Sequence, residues 1–217
     1  MKKNIVLFVL FVLPIVAYLF FASGVNNFVK LPTITERIAE VTGLVDIDGN
    51  PISLNEKITV LGFPGTNLLH DKGNAFNLNQ KIYNKVKDFK DFQLVMIIPE
   101  GTEEDAQHVK RELSQVSDLV RWHYIVLNPE VIKEFHYQLQ LEETLDENLG
   151  TPNVYIIDKN LSLRGRKGLN KKGEPEYKEG YNTISAADLH NEMADDIKII
   201  LAEYRLALKK NSANREK

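Results

Sequence analysis

The sequence contains no cysteine. That absence removes disulfides, thiolate nucleophiles and thiolate metal sites, since each needs the sulfur itself. An excess of basic charge is missing as well: 27 Lys and Arg stand against 30 Asp and Glu, a net charge of -3. A nucleic-acid surface needs a basic stripe to displace counterions, so nucleic acid is excluded as a partner. No G-x-G-x-x-G, P-loop or G-x-S-x-G pattern occurs, which argues against a nucleotide site and a serine hydrolase. The histidines, at 70, 108, 123, 136 and 190, show no H-x-H or H-x-x-x-H spacing. No catalytic residue, metal ligand set or cofactor is expected from these patterns. Repeats and low-complexity tracts are absent too.

What the chain does have is one long apolar run. Lys2 and Lys3 are the only charged residues before Lys30, and residues 5–22 form an uncharged run of 18 residues containing Pro14. A spanning helix needs about 20 apolar residues, so the run is just long enough. It exceeds the roughly 7–15-residue apolar core of a signal peptide, which favours an uncleaved anchor. A cut before Val25, with Ala22 and Gly24 as the small residues, is the alternative. In either case Lys2 and Lys3 hold the start of the chain in the cytoplasm by the positive-inside rule. The remainder then faces outward, on the extracytoplasmic (periplasmic) side of the cell membrane. The expected organisation is a transmembrane signal-anchor over 1–24, a linker over 25–40 broken at Pro32 and Thr33, a folded domain over 41–210 and a flexible tail over 211–217.

With 43% hydrophobic residues the domain can bury an ordinary core. Strand and helix signals alternate along it, as in an α/β domain with a central sheet. Residues 44–54 carry two short strands around an Asp-Gly-Asn-Pro turn. Residues 58–63 and 92–98 are continuous apolar runs, as expected of buried central strands. Leu78, Ile82, Val86 and Phe89 recur at helical spacing. Thr102 with Asp105 predicts a capped helix start. Residues 122–127 read as a strand, with Trp122 in the core. Asn128 and Pro129 open a helix as N-cap and first residue. Residues 154–158 and 161–164 flank an Asp-Lys-Asn turn as a hairpin. Ser185 caps a last helix whose stripe is Leu189, Met193, Ile197, Ile200, Tyr204 and Leu208.

Three stretches in this order carry a resemblance: "DIDGNPISLNEKITVLGF" (46–63), "FQLVMIIPEGTEED" (92–105) and "GTPNVYIID" (150–158). Together they resemble a thioredoxin-like domain of the membrane-anchored branch that includes TlpA-type thioredoxins and Sco/SenC copper chaperones. The resemblance implies an α/β thioredoxin-like fold, with a central mixed sheet flanked by helices. Counting from Phe63, the family's first catalytic cysteine would stand at Leu68, and the second at Asp71 or Lys72. The chaperones' histidine, counted back from Tyr155, would stand at Gly150. Thiols and histidine are all replaced, so a Cu(I) site of thiolates and imidazole cannot be built. Thiol-disulfide oxidoreductase activity is excluded with it.

By the same resemblance, Pro152 follows a cis peptide bond, and Thr151 and Pro152 line a groove for an extended partner peptide. His70 and Asp71 sit where the family keeps its chemistry. They can be read as a helix cap beside a solvated imidazole, the plainer reading, or as a rebuilt metal or proton-transfer site. Arg164, Arg166, Lys167, Lys171 and Lys172 form a basic loop near Tyr177 and Tyr181. That loop is read as solvated surface, with contact to lipid head groups or an acidic partner as the alternative. The expected function is a redox-inactive, membrane-anchored envelope module that binds or assembles a protein partner. Its candidate binding residues are Leu68, His70, Asp71, Thr151 and Pro152. The alternative is a metal-binding protein or non-thiol enzyme rebuilt around His70 and Asp71.

Overall fold

The computed structural model describes the backbone of residues 2–22, 30–170 and 172–215, and the side chains of 8–19, 30–170 and 172–205. Helix α1 is Lys2–Ala22. Among the described residues no helix is long and apolar enough to cross a membrane. The parts of the apolar run outside residues 8–19, the side chains of the expected tail over 211–217 and Leu208 lie outside the described side chains.

The strands are β1 (Thr33–Thr35), β2 (Leu44–Val45), β3 (Pro51–Ile52), β4 (Ile58–Pro64), β5 (Phe92–Pro99), β6 (Trp122–Leu127), β7 (Gly150–Ile157), β8 (Leu163–Arg164), β9 (Arg166–Leu169), β10 (Pro175–Lys178) and β11 (Tyr181–Asn182). The helices after α1 are α2 (72–86), α3 (Glu103–Ser114), α4 (Pro129–Gln138) and α5 (186–215). The main sheet runs β1-β8-β7-β4-β5-β6, with β11 on β7. β4, β5 and β6 are parallel, while β7 lies antiparallel to β4 and forms the hairpin with β8. A central parallel pair joined through α2, then an antiparallel hairpin leading to a closing helix, is the thioredoxin-like arrangement. The mixed central sheet is flanked by helices on both faces.

Side chains alternate across the pleat and feed two cores. Val60, Leu94, Met96 and Trp122 face α2, α3 and α5. Leu61, Phe63, Val95 and Ile125 face α4 and the 38–54 segment. Asn128 caps α4, accepting from Val131 N at 2.9 Å, with Pro129 in the first turn. Ser185 caps α5 by accepting from Asp188 N at 3.1 Å. Thr102 occupies the N-cap position of α3, but its hydroxyl donates to the Pro99 carbonyl at 2.7 Å and caps nothing.

Two further features differ from the sequence reading. Thr33–Thr35, placed in the linker, pairs with β8 as an edge strand of the main sheet. Leu31 and Ile38 around it are buried. The two arginines of the expected basic loop turn inward, while Lys167 and Lys172 are exposed and Lys171 lies outside the described residues. Arg164 is buried against Asp158 and Glu203, and Arg166 bonds Asp196 and Glu176. Tyr181 is buried and donates to Asp196 at 2.6 Å. These cations neutralise internal carboxylates, and so do not form a free basic patch.

Candidate functional site

The loop after β4 holds the candidate residues, and backbone packing positions it. Gly65 has φ +68, and a Cβ there would lie 2.6 Å from the Asn148 carbonyl oxygen. Only glycine combines that left-handed conformation with so close an approach. The facing 146–150 loop is tied by Asp146, whose Oδ1 accepts from Asn148 N and Gly150 N, both at 2.8 Å. Thr66 N donates to the Asn148 carbonyl at 3.0 Å, which joins the two loops.

Leu68, at the first thiol position, is buried and belongs to the core. His70 and Asp71 lie outside that core, with side chains 88% and 44% exposed. The His70 Nδ1 and Asp71 Oδ1 atoms are 2.8 Å apart, and Asp71 gives no side-chain cap to α2. The capping reading of Asp71 is therefore corrected: its carboxylate is turned to its neighbour. Lys72, the other second-thiol position, pairs with Glu112 at 2.9 Å. Gly150 packs backbone to backbone, and a Cβ there would lie 3.2 Å from the Pro64 carbonyl oxygen. Any side chain at the position where the resemblance would put a histidine presses on the Pro64–Gly65 backbone, which must give by a few tenths of an ångström.

The Thr151–Pro152 bond is trans. This corrects the cis expectation. The trans bond keeps β7 extended from Gly150, paired with Pro64 of β4, to Asn153, paired with Asn182 of β11. The Pro152 carbonyl is engaged by Thr183, whose N donates at 2.9 Å and whose Oγ1 donates at 2.6 Å. Glu143 organises the same loop from beneath. It accepts from the Thr151 hydroxyl, from Asn153 Nδ2 at 2.8 Å and from the Tyr155 hydroxyl at 2.7 Å. Burial, with Glu143 adding to it, pushes the Tyr155 phenol well above its ordinary value, so it stays a donor.

Asn67, Leu68, Asp71, Thr151, Pro152 and Ile184 help line an open cavity of about 190 Å³, Ile184 on its exposed side and Leu68 buried within. The structure thus brings four of the predicted residues together, Leu68, Asp71, Thr151 and Pro152, while His70 stays outside the lining. The cavity passes inward beneath α2 to Trp122 and Tyr124 on β6. Sequence reasoning placed Trp122 in the core, and gave no sign that it lies under this loop. The parallel β5–β6 register, Leu94 opposite Trp122 and Met96 opposite Tyr124, puts it there. Glu143 was missed because it stands in an acidic stretch with no local pattern.

Among the described residues, no group of three or more His, Asp or Glu is placed to hold a metal ion. His108 pairs with Glu112, His123 with Asp46 and His190 with Lys85. His136 is buried against Phe63 and Tyr155.

No family profile matches the sequence, and no curated protein does. In shape the chain is similar to BsSco, a member of the Sco family of cytochrome c oxidase assembly proteins. Identity is 14% and the TM-score 0.49, over 78% of this chain and 94% of that one. It is also similar to Arabidopsis thaliana ScoI with copper bound, at 16% identity and a TM-score of 0.48, over 75% and 99%. The thioredoxin domain of a thiol-disulfide oxidoreductase from Bacteroides vulgatus matches at 18% identity and a TM-score of 0.48, over 76% and 98%. These neighbours are Sco/SenC and TlpA-like thioredoxin-fold proteins; this chain has a thioredoxin-like fold and no cysteine.

Proposed function

We propose that this chain is a redox-inactive thioredoxin-fold module that holds a protein partner at the groove around Leu68, His70, Asp71, Thr151 and Pro152. One observation carries the reading. Leu68 fills the thiol position as a core residue, yet an open cavity persists behind the same loop. A fold kept only as a solid core has no need of that opening, and a concave site with a few converging polar groups is the usual form of a binding pocket. The Glu143 hydrogen bonds hold Thr151 and Asn153 in place, so the groove wall is preorganised.

The anchor is part of the same proposal. The uncharged run at 5–22, preceded by Lys2 and Lys3, supports a single membrane anchor with the domain on the periplasmic side. Fractionation of the full chain against a form lacking residues 1–24 tests it. The full chain is expected in the membrane fraction and the shortened form outside it.

The groove is tested by placing a photoreactive residue at Ile184, which is 64% exposed at the cavity opening, or at Val120, which is 71% exposed and away from it. Irradiation in native membranes is expected to give a discrete adduct from position 184 alone. Identical patterns from both positions would reject the groove. Stoichiometric metal on the purified chain, lost in His70→Ala, would replace this reading with a metal carrier.

A further inference from the structure

The inner end of the cavity has a chemistry of its own. Trp122 is fully buried, borders the cavity, and its indole Nε1–H closes no well-formed hydrogen bond. The Tyr124 hydroxyl lies beside it, also buried, and the two approach without closing a hydrogen bond. Leu78, Met96 and Val109 complete that end, and all three are apolar. An unpaired buried donor costs about 1–3 kcal/mol, so it calls for a partner. A resident water needs two to four polar neighbours, and the fully buried lining side chains offer two polar groups, those of Trp122 and Tyr124.

From this we infer that the cavity takes a ring-sized, uncharged apolar group ending in a hydrogen-bond acceptor oxygen, which the Trp122 indole N–H receives. The size allows it: an apolar cavity of about 150 Å³ accepts benzene, and this cavity, its polar mouth included, has about 190 Å³. The charge fits too. No cation stands at the inner end to offset a buried carboxylate. Lys72 at the opening is held by Glu112. An aryl ketone and the oxygen-bearing ring of a tyrosine share this chemistry. The first would arrive as a free small molecule and the second as a side chain of a bound partner. The inference deepens the groove reading of the previous section and rests on it where the group belongs to a partner.

Trp122 is the only tryptophan, so the full chain has a single indole N–H resonance. The test titrates ¹⁵N-labelled full chain in detergent micelles with acetophenone, and separately with ethylbenzene, which has the same shape and no oxygen. The expected result is a saturable downfield shift of the indole proton with acetophenone. Ethylbenzene should bind roughly five- to tenfold more weakly, the factor that one net hydrogen bond of about 1 kcal/mol gives. Ala75→Leu, which extends a lining residue of α2 into the space, should abolish the shift. No saturable shift, or equal binding of the two probes, overturns the inference. The two sources separate in the Ile184 crosslinking experiment. If acetophenone suppresses the adduct, the group comes from the partner; if the shift occurs and the adduct persists, the cavity serves a free small molecule. A saturable shift with no adduct at all rejects the partner reading and leaves the cavity chemistry standing.

Discussion

The Tyr155 hydroxyl donates to Glu143 at 2.7 Å from a side chain that is fully buried. Asn153 and Thr151 bond the same carboxylate, so one residue holds three alternate positions on one face of β7. Replacing Glu143 by Leu leaves those donors unpaired. Each buried orphan costs about 1–3 kcal/mol, and partial solvation brings the expected total to about 2–4 kcal/mol. Tyr155→Phe removes one partner and should cost only about 1 kcal/mol. Chemical denaturation measures both. Amide exchange at residues 151–153 should accelerate in the Glu143 variant, and unchanged exchange would show that the wall is held by β11 instead.

Arg164 makes a second buried knot. Its guanidinium donates to Asp158 at 2.8 Å and to Glu203 at 2.9 Å, and its Nε donates to the Leu31 carbonyl at 2.9 Å. The three elements so joined are the β7–β8 hairpin, α5 and the segment that leads into β1. Burial opposes the charge, but the two carboxylates more than offset it and raise the guanidinium further. Arg164→Met strands two buried carboxylates, and the expected loss is about 3–5 kcal/mol. A loss below about 1 kcal/mol in thermal unfolding would mean that water enters the knot. Asp158→Asn with Arg164→Met should recover part of the loss, because one stranded charge is gone.

How much of this could be read beforehand follows the range of the interactions. The central strands were legible because 58–63 and 92–98 are buried on both faces and need unbroken apolar runs. The caps at Asn128 and Ser185 were legible because an N-cap acts within three residues. Thr102 misled because a second acceptor, the Pro99 carbonyl, lies just as near. In α2 and α5 the stripe spacings of four, Leu78 to Ile82 and Leu189 to Met193, exceed the 3.6-residue period. Both helices absorb the excess in a π-helical turn, at Asn79–Tyr83 and Leu189–Met193. The edge strand β1 was not legible, because its partner β8 stands more than a hundred residues away in the chain; the fate of Arg164 was not, because its burial needs Leu31 and Glu203 brought to it by tertiary packing as well as the nearby Asp158. At the site, the loop residues were found by counting from Phe63, while Trp122, Tyr124 and Glu143 reach it only through tertiary packing.

His136 should set a pH dependence of stability. Burial lowers its imidazole below the ordinary value of 6.5, and Glu143 and Glu179 recover only part of the shift. The folded chain therefore binds the proton less readily than the unfolded one. Stability is fully present above pH 6.5 and falls as the pH drops through 6.5 toward the folded value, by at most about 1.4 kcal/mol per pH unit. Phe in place of His136 keeps the edge-to-face packing on Phe63 and removes the unpartnered Nε2. The variant should be at least as stable at pH 7, with a flatter profile between pH 6.5 and 5. Parallel profiles in urea denaturation would assign the titration elsewhere.

Restoring a thiol should not restore a reactive thiol. Leu68 is 4% exposed in the core, and a cysteine there loses volume and sits in apolar surroundings. Leu68→Cys should cost about 2–4 kcal/mol, near the range for truncating a buried leucine. Burial also disfavours the thiolate, the reactive form. Cysteine in place of Asp71, whose side chain is 44% exposed, should instead behave as an open surface thiol. In native buffer a chromogenic disulfide reagent should modify the position-71 variant promptly and the position-68 variant slowly. Both should react at the same rate once unfolded. Equal native rates would mean that the loop opens readily and that Leu68 is not fixed in the core. Gly150→His completes the set. Its Cβ would press on the Pro64 carbonyl and on Gly65, so the variant should lose stability with or without copper present. Copper-dependent stabilisation of the Leu68→Cys, Lys72→Cys, Gly150→His triple variant would show that the loops can separate, and that close packing of Gly65 on Gly150 is not what bars a metal site.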